Sequence, residues 1–410
     1  PCVSSVAWAS YMTGKNPGKH GILGFVDRKM GTEDIVLPNV RQLRGDTLWD
    51  LLSRAGKRVV VMNVPPSFPP RAVNGALVGC FLSPSVKKAT HPPELGAELE
   101  AMGYRLDADA KRAQTDLRGF VQDVHEVLAR RIEAMRMLLA RYADWDFAQL
   151  HLMETDRLNH FVWKRREDGD PEFAPAFLNL YKRVDAFVGE LLDKDLAEGD
   201  ELIVLSDHGF CTIKKQVMLN NWLAERGHLR FRDEKQNGLG NIDPASTAFS
   251  LIPGRIYVNL AGREAGGRVD MAEYERVRAA VKADLLALRA PDGEPVVERV
   301  YYREELFWDG AQRGPAAPGG YDVLQICRDS PDLVAAPRDG YDLKARLGPA
   351  PALFHEDALQ GMHTVHDAVL FWRGRELRAG EVHMTDVLPS ILGLYGIPVP
   401  PDVDGRGLLG

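Results

Sequence analysis

Short, almost unbroken apolar runs separated by amphipathic stretches set the strongest limit on what this chain can fold into. Lys57 to Val64 reads KRVVVMNV and stops at Pro65-Pro66; Asp146 to Met153 reads DFAQLHLM; Glu201 to Leu205 reads ELIVL. Runs this short, rich in β-branched residues and without polar alternation, suit strands covered on both faces, as in a parallel sheet between helix layers. Each run follows a helical pattern: Thr47 to Ala55, Leu117 to Tyr142 and Phe177 to Leu192, respectively. In the second of these, Phe120, Val124, Val127, Leu128, Ile132, Met135 and Leu138 recur at helical spacing. Alternating helix and strand predicts an α/β fold with helices on both faces of the sheet.

The stretch from Lys214 to about Val334 breaks this rhythm. It holds Gly238-Leu239-Gly240, Pro253-Gly254, Gly266-Gly267 and the Gly/Pro-rich Gly314 to Gly320, with one helical pattern from about Met271 to Leu288. Loop-rich insertions of this kind commonly cover an active site, so the chain is divided into one catalytic domain, 1–410, with a cap region inserted at 214–334. The aromatic residues there (Trp222, Tyr257, Tyr301, Tyr302, Phe307, Trp308) are expected to form the insertion's core. Arg255, Arg263, Arg268, Arg276 and Arg278 are expected on solvated faces.

Composition narrows the function classes. With 51 Lys+Arg against 58 Asp+Glu the formal net charge is −7, which argues against general binding of nucleic-acid polymers. No apolar run approaches the ~20 residues that span a bilayer. Cys2, Cys80, Cys211 and Cys327 are scattered without a CxxC pair, which points away from a disulfide framework and toward the cytoplasm. The sequence opens at Pro1 on residues that already read as a functional motif, and further chain upstream is expected.

Polar groups that suit metal binding follow two of the apolar runs: Met153-Glu154-Thr155-Asp156 and Ser206-Asp207-His208-Gly209. The carboxyl ends of strands in an open α/β sheet form the ligand crevice, so both groups are expected at one cleft. Asp156 and His160 stand four apart, which lets one helical turn present both to one ion. Asp207 and His208 are adjacent, which only a turn can aim at one point. Carboxylates mixed with imidazoles suit zinc or manganese better than magnesium or calcium. At the start of the chain, Ser4 precedes a helical stretch from about Ser5 to Met12 that Gly14 should stop. A serine there either caps the helix or attacks a phosphate held by the backbone N–H groups and the helix dipole.

The run PCVSSVAWASYMTGKNPGKHGILGF resembles the nucleophile region of the alkaline phosphatase superfamily, in its type I phosphodiesterase/nucleotide pyrophosphatase branch. METDRLNHFVW, LSDHGF, GMHTVHDAVLFWRG and DVLPSILGLYGIPVPPDVDGR continue the resemblance, in order, over nearly the whole chain. The resemblance implies an alkaline-phosphatase-like, mostly parallel sheet sandwiched by helices. It implies Ser4 as the nucleophile, Asp156, His160 and His363 as ligands of one zinc, and Asp207 and His208, with Ser4, as ligands of a second. Asp386 matches a helix start, His20 a structural position, and His366 competes with His363. A serine hydroxyl is a poor nucleophile until a base or metal favours its alkoxide. Two divalent ions ~4 Å apart would serve both oxygens of an in-line displacement. The implied activity is hydrolysis of a small-molecule phosphodiester through a phosphoseryl intermediate.

Departures keep other readings open. The family's Asp ligand of the second zinc lies on a strand upstream of the nucleophile, beyond the start of this sequence. Where nucleotide pyrophosphatases carry an Asn five residues after the histidine of the HG motif, this chain has Phe25. The sulfatase pattern C/S-x-P-x-R is absent after Cys2. A phosphomonoesterase, a cofactor-independent phosphomutase and a non-catalytic metal-binding homologue remain as alternatives.

Overall fold

The computed structural model describes residues 3–307, 329–378 and 380–409. Pro1, Cys2, Trp308, Cys327 and the Gly314 to Gly320 stretch lie outside the described residues. The chain divides into two compact units, one of Asn16–Pro38 and Ile213–Asp357, the other of Cys2–Lys15, Asn39–Thr212 and Ala358–Gly410.

The second unit is built on β1 (Val59–Met62), which pairs in parallel with β2 (Gly75–Val78) on one side and β4 (Phe147–Leu150) on the other. The short β3 (Thr90–His91) adds antiparallel to β2. All of β1 is fully buried, as its apolar run predicts. The run at Glu201 to Leu205 forms β5 (Leu202–Leu205), which continues into β6 (Gly209–Thr212). Here the parallel expectation fails: β5 pairs antiparallel with β8 (Leu370–Arg373), and β6 pairs antiparallel with β7 (Gly361–Thr364). An apolar run announces a strand, but its orientation depends on a partner far along the chain.

Helices pack on these strands where their apolar stripes dictate. Thr47 closes a capping box with Asp50 at the start of α2 (Leu48–Arg54), after α1 (Ser4–Thr13). Asp116 accepts from the Gly119 N–H to open α3 (Leu117–Arg141). Every residue of the α3 stripe, Phe120 through Leu138, is buried, in one core with Val60, Met62, Ala76 and Val78. The same core takes Leu158 and Val162 of α4 (Met153–Glu167) and Phe177 and Leu180 of α5 (Phe173–Glu190). The run expected to end a strand at Met153 to Asp156 is the first turn of α4.

The other unit has an antiparallel sheet in the order Ala248–Leu251, Arg255–Val258, Leu333–Pro337, Val297–Tyr302, with the helix Met271–Ala287 packed on it. Tyr257 and Phe307 are buried, and Trp222 and Tyr302 pack against the unit's core, in keeping with the expected core role. The arginines correct the expectation. Arg268 and Arg276 are exposed, but Arg255, Arg263 and Arg278 are buried. Arg263 donates twice to Asp332 (2.8 and 2.5 Å), Arg303 donates to the same carboxylate, and Arg255 lies 3.3 Å from Asp27. Asp332 and Asp27 lie far from Arg263 and Arg255 in sequence, which is why these arginines read as solvated.

Candidate metal and nucleophile site

All six residues expected to carry chemistry fall in the second unit. Ser4 opens α1 but does not cap it: the cap position is Val3, with no side-chain hydrogen bond. The Ser4 hydroxyl lies instead 3.2 Å from His208 Nε2, a partner that withdraws it from the backbone. Gly14 ends the helix in the left-handed region, its N–H donating to the Ser10 carbonyl, as expected of that glycine.

The helix α4 presents Asp156 and His160 on one face, Asp156 Oδ1 standing 3.4 Å from His160 Nε2. The β6–β7 pair supplies the rest. His208 ends the bend between β5 and β6, and His363 lies on β7 opposite Phe210 of β6. The imidazoles of His208 and His363 stack with centroids 3.5 Å apart, inclined by 15°. His363 Nε2 lies 3.1 Å from both Asp156 Oδ1 and His160 Nε2. Gly361 and Met362, just before His363, belong to β7. A Cβ at Gly361 would meet the Asn159 carbonyl at 2.4 Å, so only glycine lets β7 lie this close to α4.

Tautomers follow from the carbonyl partners. His160 Nδ1 donates to the Gly361 carbonyl (2.9 Å), and His208 Nδ1 to the Gly209 carbonyl (3.1 Å). A carbonyl only accepts, so both Nε2 atoms present lone pairs to the site. Burial, then the charge of His363, holds the His208 imidazole below its ordinary pKa and favours the neutral ring. Burial alone would raise the Asp156 carboxyl, but His160 and His363 outweigh it and hold the group well below the carboxylate range.

Other expected residues lie apart from this cluster. His366 is exposed, and its carbonyl accepts from Thr364 Oγ1. His20, in the other unit, is fully buried, with Nδ1 accepting from the Ile22 N–H. Asp386 stands at the N-cap of the helix Val387–Leu394 without bonding to its first turn; its carboxylate accepts from the His383 and Arg406 N–H groups. Glu154 is a salt-bridge partner of Arg131, with Nε–Oε1 at 2.6 Å and both side chains buried. Sequence reasoning passed over His151, buried after β4 with its ring edge-on to Trp8; burial pushes its pKa down to about 4. An isolated histidine in an apolar run carries no signal of its own.

Comparison with known proteins settles the lineage. The type I phosphodiesterase / nucleotide pyrophosphatase family matches residues 1–366. The chain belongs to this family. Alkaline phosphatase PhoK from Sphingomonas sp. is 24% identical over 296 residues, covering 66% of this chain and 48% of that protein. The chain therefore spans about half the length of that curated relative. The crystal structure of wild-type alkaline phosphatase PafA superposes with a TM-score of 0.56 at 15% identity, covering 100% of this chain and 90% of that one. Murine ectonucleotide pyrophosphatase/phosphodiesterase 5 gives 0.52 at 13%, covering 100% and 89%. Phosphonoacetate hydrolase from Sinorhizobium meliloti 1021, in complex with phosphonoacetate, gives 0.53 at 15%, covering 95% and 83%. At these identities the structures establish a shared alkaline-phosphatase-like α/β fold.

In this member of the type I phosphodiesterase family the donor set fits a divalent cation. Asp156, His208 and His363 each offer a ligand atom, all within 4.8 Å of one another. The buried Asp207 Oδ2 accepts no hydrogen bond and stands 3.3 Å from His208 Nε2. A buried carboxylate oxygen without a donor is costly, and a cation bound beside it would offset that cost.

Proposed function

We propose that this chain is a metal-dependent phosphoric ester hydrolase, a phosphodiesterase that attacks a small-molecule phosphate ester with Ser4 and forms a phosphoseryl intermediate. One observation carries this reading: Ser4 Oγ, the carboxylates of Asp156 and Asp207, and Nε2 of His160, His208 and His363 converge in one unit. Asp156, His160 and His363 would hold one divalent ion, and Asp207, His208 and Ser4 a second. The carboxylate–imidazole mixture favours zinc, with manganese next. Bound there, the ions supply Lewis acidity that stabilises the serine alkoxide and offsets phosphate charge.

The chain's own residues set the rest. Ser4 opens a ten-residue helix, where backbone N–H groups and the dipole favour an anion. The His208 lone pair accepts from the Ser4 hydroxyl and holds the oxygen beside the donor set; a bound ion would take that lone pair and leave Ser4 and His208 as neighbouring ligands. In the first step a Ser4 Oγ–phosphorus bond forms and the ester P–O bond breaks, the proton that Ser4 gives up going to the leaving alcohol. Water then adds to phosphorus, the Ser4 Oγ–phosphorus bond breaks, and a proton of that water returns to Ser4. The region 214–334, read as a cap within a single catalytic domain 1–410, and a cytoplasmic location belong to the same reading. Among the described residues no helix is long and apolar enough to cross a membrane.

A phosphomonoesterase is the second reading, favoured by Phe25 in place of the asparagine of the nucleotide pyrophosphatases and by the kinship with an alkaline phosphatase. The phosphomutase reading loses support, because Arg255 and Arg263 are held by buried carboxylates and Arg278 by Glu275 and Glu304, rather than free for a migrating phosphate. Hydrolysis of a nitrophenyl phosphodiester and of the matching monoester by the zinc- or manganese-loaded protein separates the two. Faster turnover of the diester is expected; faster turnover of the monoester would move the assignment to a phosphatase.

A further inference from the structure

We infer that Arg157 is a positioning residue that fixes Asp156 as a one-oxygen ligand, and that Asp107 holds Arg157 in place to do so. The inference rests on the metal-site reading above and adds two residues that no motif assigns.

The two oxygens of Asp156 have different surroundings. Oδ1 faces the imidazoles, with Nε2 of His363, His160 and His208 at 3.1, 3.4 and 3.8 Å. Oδ2 is met by Arg157 Nη1 at 3.3 Å. The guanidinium is not free to swing. Its Nε lies 3.1 Å from each Asp107 oxygen and its Nη2 donates to Asp107 Oδ2 at 2.5 Å, a forked pairing that an ammonium group cannot reproduce. Its Cζ also lies over the Phe81 ring, 5.2 Å from the ring centre.

Asp107 is anchored in turn. Its neighbour Leu106 accepts at the carbonyl from Arg131 Nη2 (3.0 Å), and Arg131 Nε donates to Glu154 Oε1 (2.6 Å). Glu154 sits on the first turn of α4, the helix that carries Asp156 and Arg157. The circuit thus leaves α4 through Arg157, crosses Asp107 and α3, and returns to α4 through Glu154. A fixed positive charge beside a cation site is unfavourable by itself. What Arg157 contributes is direction: it occupies Oδ2 and leaves Oδ1 to the imidazole side. Partners of this outer kind govern how a ligand is presented.

The test is zinc affinity, by competition with a chromogenic chelator, together with the visible spectrum of the cobalt(II) form. Wild type, R157K, R157Q, D107N and the R157K/D107N double variant are compared, with thermal melts reporting folding. R157K keeps the charge and loses the fork, so zinc affinity should fall about 10–100-fold, with an altered cobalt band. D107N should do the same and provides the reading if R157K fails to fold. The double variant should bind no more weakly than the weaker single one, because both break one connection. Wild-type affinity and spectrum in R157K would overturn the inference and leave the metal site standing. R157Q binding tighter with R157K unchanged would do so too, by reducing Arg157 to a charge. A wild type that takes up neither zinc nor cobalt would overturn the metal reading and this inference together.

Discussion

At the scale of single residues, one histidine decides between two assignments that lie three positions apart. His363 reaches Asp156 and His160, whereas His366 is exposed. His363→Ala should therefore weaken metal binding by more than the about 10–100-fold typical of outer partners, and His366→Ala should leave it unchanged. Equilibrium dialysis with metal analysis checks both, and the reverse ranking would reassign the ligand. Much of this was legible in advance. Asp156 and His160 announce themselves by helical spacing, and Asp207-His208 by following a strand. Arg157 and Asp107 were not legible, because their role depends on a loop and a helix that meet only in the folded unit. The same holds for Arg263, whose solvated reading failed for want of knowing that Asp332 would lie beside it.

At the scale of elements, the site is a helix turn set against a pair of strands. The strand β1 was legible because a buried central strand needs an unbroken apolar run. The pairing of β6 with β7 was not, since register is fixed by which distant segment fits, and no local pattern encodes that. Gly361 is where this packing is tightest. In Gly361→Ala the new Cβ would meet backbone at 2.4 Å, so β7 must move off α4 and carry His363 with it. The expected cost is about 1–3 kcal/mol in stability, with metal affinity reduced as well. Denaturant melts and metal titration read the two effects, and an unchanged affinity would show that His363 holds its place without this contact.

At the scale of the molecule, each unit has its own apolar core and buries charge within it. One holds the Arg131–Glu154 pair; the other encloses an ionic cluster around Asp332. Burial by itself would raise the Asp332 carboxyl, and Arg263 and Arg303 outweigh it, holding the group far below the ordinary carboxylate range. A depressed carboxyl contributes stability above its unfolded pKa and loses it as pH falls through the folded one. Stability should therefore decline on acidification below about pH 4. Asp332→Asn should flatten that decline and cost about 3–5 kcal/mol at neutral pH, because the buried Arg263 and Arg303 both lose this carboxylate. Urea unfolding across the acid range checks the slope, and an identical pH profile in the variant would contradict the assignment. Ser4 as nucleophile is tested by acid quench of the metal-loaded protein during turnover of a nitrophenyl phosphate ester, followed by peptide mass spectrometry. Phosphate on the peptide that contains Ser4, and neither phosphate nor turnover in Ser4→Ala with its metal retained, is the predicted result. Turnover in Ser4→Ala at the wild-type rate would contradict it.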